Sequence, residues 1–384
     1  MFSKVRPVGS PVPRPESVKS FPMPWEKHYK AVFTGSGTEA LSLSVRCAIG
    51  KKSNVSAPEV IIPAYGCPDL VAAIVAQNAV PVLVDFAESM PFMEEPDVIE
   101  AITSQTVAVV AVNFLGIFER LPLLSQICRS KGITLIEDSA QCFPPFSSED
   151  GCADFVVLSF GRGKPINLMG GGALLVRNTD QPVSDFLVSE YPVSSVTLDI
   201  AWYIKRLIFN FILSRYIYPI MASASFLNIG QTRFYPLKSI SRLDIPRSLL
   251  EAGVTSYMER EPLHSIYDRE LAFVEQSGWT RLTADHGFGK VPHLRYALLA
   301  PSNELRDRAI EELNKRGIAA NAFYKQILPE IEGVEASYLK MPSDYPKANK
   351  FAARLIVLPT HQGVKRKDIA TIVSAFRFLA TVPA

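Results

Sequence analysis

A chain of 384 residues, 48% of them hydrophobic, can bury more than one core, and its length suggests two domains or one large and one small. A formal charge of +2, with no basic run interleaved with aromatics, argues against a nucleic-acid binder. Cys47, Cys67, Cys128, Cys142 and Cys152 form no C-x-x-C pair and the five histidines are scattered, so neither a disulfide framework nor a metal site is indicated.

Met1–Pro7 lacks the apolar core of a signal peptide, and a reducing cytoplasm is the expected home. Residues 1–30 are rich in proline and polar groups and read as an extended arm. From 31 to about 180, apolar strands alternate with amphipathic helices. The strands are Glu59–Ile62, Val80–Asp85, Val107–Asn113, Ile133–Glu137, Phe155–Ser159 and Ala173–Val176; the helices are Gly37–Ile49, Asp69–Gln77, Pro96–Ile102 and Leu121–Ser130. Near-continuous apolar strands separated by helices predict an α/β fold with a mostly parallel central sheet covered by helices. Catalytic groups then collect beyond the carboxyl ends of the strands.

The alternation stops at 181–240. Ile200–Ile229 is strongly apolar but is interrupted by Lys205, Arg206, Arg215 and Pro219, which argues against a membrane span. It reads first as a helical insertion buried in the protein or at a subunit interface. The second reading is an amphipathic element on a membrane surface. From about 241 to 384 the pattern is that of a smaller C-terminal α/β domain. Its strands are Leu294–Leu299, Ile318–Phe323 and Leu355–Leu358. Its helices are Ser302–Gly317, with Ser302 as cap, and Lys367–Leu379. The large domain then spans 31–240.

Three boundaries carry chemistry. Gly35-Ser36-Gly37-Thr38 opens a helix with bare backbone amides and two hydroxyls, a site suited to a phosphate dianion. Asp138 ends the strand Ile133–Glu137, where a buried carboxylate needs a partner. Gln141 follows three residues on. Lys164 lies just past the strand that ends at Ser159, within Gly161-Arg162-Gly163-Lys164-Pro165. Lysine forms Schiff bases with carbonyl cofactors. Each feature also has a bland reading: a capped helix start, a turn aspartate, a solvated loop lysine. A phosphate cradle, then a strand-end aspartate, then a strand-end lysine is the order expected of a pyridoxal 5'-phosphate (PLP) enzyme. In such a site the aspartate holds the pyridinium N–H and keeps the ring an electron sink. The lysine moves a proton, which requires its pKa to be brought down toward roughly 7–8.

In these segments the chain resembles the DegT/StrS-type PLP-dependent sugar aminotransferases, of aspartate-aminotransferase fold type I. The resemblance rests on Arg6-Pro7-Val8-Gly9, the run Gly35–Leu41, Glu59–Pro63, Pro81–Asp85, Ile136–Gln141, the serine–lysine–glycine segment, Gly317–Ala320 and Leu358–His361. It implies Lys164 as the Schiff-base lysine and Asp138 as the pyridinium partner. It implies Gln141 near the ring oxygen, and Ser159, Gly37 and Thr38 as phosphate ligands. The family stacks an aromatic residue on the ring four residues after the proline matching Pro63. Here that position is Cys67, with Tyr65 close by, so either Cys67 covers the ring or Tyr65 swings in. Asn228 and Arg233 are the candidates for a phosphate ligand reaching the neighbouring subunit. The resemblance further implies a homodimer, an amino donor such as glutamate, a keto sugar, nucleotide-linked, as acceptor, and a role in polysaccharide or envelope sugar synthesis. A PLP lyase or aldolase would use the same lysine and aspartate. The dehydratase branch replaces the lysine with histidine, so Lys164 argues against it. A non-catalytic protein that retains the fold is the alternative from another class.

Overall fold

The computed structural model describes residues 4–15, 20–52, 54–180, 189–223, 232–282, 292–341 and 344–381. Its large sheet contains β1 (Tyr29–Thr34), β2 (Glu59–Pro63), β3 (Val80–Val84), β4 (Thr106–Val112), β5 (Thr134–Asp138), β6 (Phe155–Ser159), β7 (Gly172–Arg177), β8 (Val193–Ser195) and β9 (Arg242–Asp244). The order is β3-β2-β4-β5-β6-β7-β1-β9-β8. Strands β3 to β6 pair in parallel, and β7 runs against both β6 and β1. Every residue of β2 and β4 is buried, the reason those strands are apolar throughout rather than alternating. Helices α1 (Gly37–Lys51), α2 (Asp69–Val75), α3 (Glu95–Ala101) and α4 (Leu121–Lys131) cross between strands. The expected strand and helix positions in this region hold to within a few residues, and β1 is an addition.

The smaller sheet has the order β10-β11-β12, from β10 (Thr280–Arg281), β11 (Arg295–Leu299) and β12 (Leu355–Pro359). Ser302 caps the helix Asn303–Lys315 as expected, its hydroxyl accepting from Leu305 N–H. Ile318–Phe323 is not the expected strand. Its β-pairing is limited to two isolated bridges, Ile318 with Val5 and Asn321 with Val357. The N-terminal arm supplies the first of these contacts, so it competes for the backbone that a strand would have used. Ile245, Leu249, Leu250, Val254 and Tyr257 pack in a core of the large sheet; the small-domain core takes up the chain from Leu263 onward, together with Val5.

The arm is built into the core. Val5, Val12, Met23 and Trp25 are buried. Val12 is gripped by α6 (Ile200–Ile212, counting Ser147–Asp150 as α5). Asn210 Oδ1 accepts from Val12 N–H at 2.8 Å, Asn210 Nδ2 donates to Val12 O at 3.0 Å, and Arg206 Nε donates to Val12 O at 2.9 Å. Only Trp202 of this helix is buried. Ile200, Ile204, Leu207, Ile208 and Phe211 recur at helical spacing on the opposite face and are 51–80% exposed. The expectation that this segment is buried within the protein therefore fails for α6. One face is spent on the arm, and the larger apolar face points outward. Residues 224–231 of the insertion, Asn228 among them, lie outside the described residues. No helix among the described residues is long and apolar enough to cross a membrane.

His361 joins the arm to the small domain. Its Nε2–H donates to Arg6 O at 2.9 Å, and Gly363 N–H donates to Nδ1 at 3.0 Å. Burial, with the Arg6 charge beside it, pushes its pKa down to about 3. As pH falls below the ordinary histidine value of about 6.5, the unfolded chain binds a proton that the folded chain refuses. Stability is thus complete above about pH 6.5 and declines below it. Urea unfolding between about pH 7.5 and 5 should cost the wild type roughly 2 kcal/mol more than His361→Gln, at about 1.4 kcal/mol per pH unit. Parallel pH profiles for the two would remove His361 from this account.

Candidate active site

The sheet register brings the phosphate-cradle segment and Ser159 together. Gly172 of β7 pairs with Thr34 of β1 on one side and with Ser159 of β6 on the other. The strand-ends that launch α1 and the Lys164 loop therefore emerge side by side. The fit is close. A Cβ at Gly172 would lie 2.5 Å from the Ser36 carbonyl, and one at Gly37 would lie 2.7 Å from Ser159 Cβ. Ser36 caps α1: its hydroxyl accepts from Glu39 N–H at 3.2 Å and donates to Glu39 Oε1 at 3.0 Å. Glu39 in turn receives Ser241 N–H at 2.7 Å, which ties the helix start to the segment entering β9. Thr38 Oγ donates to Asp69 at the start of α2, 3.0 Å away.

Asp138 ends β5, paired with Val112 and Val157. Because side chains alternate along a strand, Glu137 and Asp138 face opposite ways. Glu137 is fully buried and satisfied: it accepts from Asn113 Nδ2, Ser139 Oγ, Phe146 N–H and Ser147 N–H. Asp138 accepts one bond, from Ala140 N–H at 2.9 Å. Burial raises its pKa; the Ala140 bond and the Lys164 charge oppose the rise, and the Asp69 charge adds to it. Such a carboxylate is suited to meeting a cationic N–H. Gln141 is buried, and its Oε1 accepts from Leu115 N–H at 3.2 Å, which leaves its amide N–H groups to donate.

Lys164 sits in a loop braced from several sides. Phe160 N–H donates to Gly171 O at 2.9 Å and Leu168 N–H to Phe160 O at 3.0 Å, closing the loop on itself. Asn167 Nδ2 donates to Ser10 O of the arm at 2.6 Å, and Arg260 Nη2 donates to Pro165 O at 3.3 Å. Arg162 lies over the Phe209 ring of α6 at 5.5 Å. Gly163, next to the lysine, holds φ +75°, a left-handed conformation that favours glycine.

Cys67 lies within the field of Lys164. Burial pushes its thiol up to about 12, with the Asp69 charge raising it further and the Lys164 charge opposing, so it stays protonated at neutral pH. Tyr65 stands in the core instead, fully buried, its hydroxyl donating to Tyr324 O at 2.7 Å. Phe86, Phe114, Tyr324 and Phe351 pack edge-on around its ring. Swinging it out would break all of these contacts. Arg233 is on the surface, paired with Glu332 at 3.1 Å. Two further residues belong to the site and carried no signal of their own in the sequence. Asp69 receives Thr38 and acts electrostatically on Asp138 and Cys67. Tyr324, from the segment after Ile318, hydrogen-bonds Cys67.

This donor set fits the cofactor that the motif order implies. Bare backbone at Gly37 and Gly172 beside the Ser159 and Thr38 hydroxyls suits a phosphate. The singly bonded, half-buried Asp138 suits a pyridinium N–H. Lys164 is near enough to influence both Asp138 and Cys67.

Known proteins agree with the architecture. The model of the DegT/DnrJ/EryC1/StrS aminotransferase family matches residues 25–185 and 250–377, so the chain belongs to that family. The unmatched interval between them contains α6. The chain is 29% identical to a UDP-N-acetyl-3-dehydro-alpha-D-glucosamine 3-aminotransferase of Acidithiobacillus ferrooxidans over 145 residues, 37% of this chain and 38% of that protein. A dTDP-4-dehydro-2,3,6-trideoxy-D-glucose 4-aminotransferase of Saccharopolyspora spinosa is 23% identical over 358 residues, 91% of this chain and 84% of that one. The crystal structure of NtdA from Bacillus subtilis, with its cofactor PMP bound, superposes with a TM-score of 0.68 at 16% identity, covering 93% of this chain and 74% of that one. That likeness shows the shared fold.

Two variants test the cradle. Gly172→Ala must push the Ser36–Gly37 backbone away from β7, and should destabilise the fold by about 1–3 kcal/mol while abolishing retention of added PLP. Ser159→Ala should keep its melting temperature but raise the PLP dissociation constant roughly tenfold or more, the worth of a charge-assisted hydrogen bond of about 1.5–3 kcal/mol. Normal PLP retention in both would place the phosphate elsewhere.

Proposed function

We propose that this protein is a PLP-dependent aminotransferase that moves an amino group from an amino acid, glutamate by family resemblance, to a keto sugar carried on a nucleotide. The observation that carries the reading is the convergence of the Gly37–Ser159 cradle, the under-bonded Asp138 carboxylate and the braced Lys164 loop at the ends of the central strands. Membership in an aminotransferase family supports it. So do relatives named for UDP-linked and dTDP-linked keto sugars.

The cofactor, when bound, supplies an electron sink and a group that carries nitrogen between the two substrates. The chain supplies position and protons. Asp138 accepts a hydrogen bond from the ring N–H and keeps that proton in place. Gly37, Thr38 and Ser159 anchor the phosphate. For Thr38 this means releasing Asp69. Lys164 Nζ would hold and move the proton at the substrate carbon. Cys67, a neutral thiol held by Tyr324, is the residue in the position to cover the ring, since Tyr65 is locked in the core. The five cysteines form no disulfide among the described residues, which fits a cytoplasmic enzyme, and the sugar chemistry fits supply of precursors for a surface polysaccharide.

The working form is proposed to be a homodimer. The outward stripe of α6 is the surface that a second copy would cover, since each large apolar side chain gains about 1.5–3 kcal/mol on full burial. Phe211→Glu should dissociate the dimer or lower its melting temperature, with or without lipid. A folded, active dimer that merely stops sedimenting with anionic vesicles would transfer the stripe to a membrane surface.

The enzyme reading is tested by incubating the protein with PLP, L-glutamate and a panel of nucleotide-linked keto sugars, and following aminated product by mass. The wild type should aminate at least one. Asp138→Asn should retain PLP yet lose most of that turnover, because an amide does not keep the ring nitrogen protonated. Wild-type turnover in Asp138→Asn would remove the carboxylate from the mechanism.

A further inference from the structure

Thr38 and Asp69 face each other at the starts of two neighbouring helices. Thr38 is the second residue of α1, and Asp69 opens α2. Leu70–Ile74 of α2 are buried in the same core cluster as Ala40, Leu41 and Leu43 of α1. Further along, Gln77 Nε2 donates to Ser42 Oγ at 2.9 Å and ties the two helices a second time. This packing presents the Thr38 hydroxyl to Asp69 Oδ2, 3.0 Å away. The Asp69 backbone N–H donates to Cys67 Sγ, which holds the helix start against the site.

Asp69 is exposed, and among the described residues no lysine or arginine forms an ion pair with it. Two carboxylates beyond the neighbouring strand β3 are treated differently: Glu88 is paired with Lys350 and Glu94 with Lys347. The Asp69 charge is felt in the site, where it opposes ionisation of both Asp138 and Cys67. A threonine hydroxyl has one proton to give. Here a carboxylate takes it, although the same hydroxyl belongs to the phosphate cradle. The two uses exclude each other. With a phosphate dianion in the cradle, Thr38 turns away from Asp69, and two anions then flank one side chain. Such a pair repels, and at the mouth of a partly shielded site salt screens the repulsion only in part.

We propose that Asp69 loosens the hold on the cofactor phosphate, by competing for the Thr38 hydroxyl and by repelling the dianion, and so keeps the cofactor exchangeable with free PLP. When the cradle is empty, Asp69 takes the Thr38 proton and stabilises the cofactor-free protein. Asp69 is in this role a positioning residue that acts through Thr38 and through its charge. The inference rests on the cradle reading above.

The test titrates the cofactor-free full-length protein with PLP and, separately, with pyridoxal, which lacks the phosphate, following absorbance. Asp69→Asn should lower the PLP dissociation constant roughly tenfold and leave that of pyridoxal within about twofold. Asp69→Glu, which keeps the charge, should stay close to wild type. Without cofactor, Asp69→Asn should melt at or slightly below the wild-type temperature, so stability and PLP affinity do not fall together. Thr38→Val should weaken PLP more in the Asp69→Asn background than in the wild type, because only there is the hydroxyl released from a competing anion. Unchanged or weaker PLP binding in Asp69→Asn overturns the inference. Equal tightening of PLP and pyridoxal also overturns it, since the charge would then act on Asp138 and not on the phosphate. A drop in both melting temperature and PLP affinity makes Asp69 a structural cap and overturns it as well. If Thr38→Val weakens PLP while Asp69→Asn changes nothing, the inference fails and the cradle stands. If Thr38→Val and Ser159→Ala both hold PLP as the wild type does, the cradle reading falls and the inference falls with it.

Discussion

A carboxylate buried at the end of a strand must be neutralised or satisfied, and Asp138 is only half served. One backbone N–H reaches it, its pKa is raised by burial, and the Asp69 charge makes ionisation harder still. Its neighbour Glu137, buried more completely, receives four hydrogen bonds and serves the structure. The contrast within one dipeptide separates a structural carboxylate from one reserved for a ligand. A cationic N–H placed against Asp138 would complete it and hold a proton there. Much of the surrounding geometry serves to bring that ligand to this atom in one orientation.

The orientation comes from backbone contact more than from side chains. Gly172 lets the Ser36–Gly37 backbone, and Gly37 lets Ser159, approach within a distance that no Cβ would permit. The arm then acts as a tie. Val5 bridges to Ile318 of the small domain, Ser10 accepts from Asn167 in the Lys164 loop, and Val12 is held by Asn210 of α6. Three elements far apart in sequence share one strap: the Lys164 loop, the insertion helix and the small domain. A displacement of α6, for example by a second copy on its apolar face, therefore has a direct mechanical route to Lys164 through Val12, Ser10 and the Phe209–Arg162 contact.

The parts of this arrangement that were legible in the sequence are those written locally. Strands β2 to β7 appear as apolar runs because they are buried on both faces. Asp138, Ser159 and Lys164 stand out because polar residues interrupt or follow those runs. The capped start of α1 is visible as Ser36 before a glycine and a glutamate. The parts that stayed hidden depend on tertiary contact. Tyr324 reaches Cys67 from the small domain, and nothing near it in sequence marks the approach. Ile318–Phe323 has the apolar content of a strand, yet the arm takes the Ile318 bridge. Tyr65 looked free to move, but four aromatic rings enclose it. The apolar content of Ile200–Ile212 was plain, whereas its outward direction was set by Asn210 and Arg206 gripping Val12.

The claim on which the rest hangs is that Lys164 holds the cofactor covalently against Asp138. Borohydride reduction of the PLP-loaded protein, followed by peptide mapping, reads this directly. The account predicts a single pyridoxyl group on Lys164, lost in Lys164→Ala. Label on another lysine, or none on a protein that has taken up PLP, would contradict it.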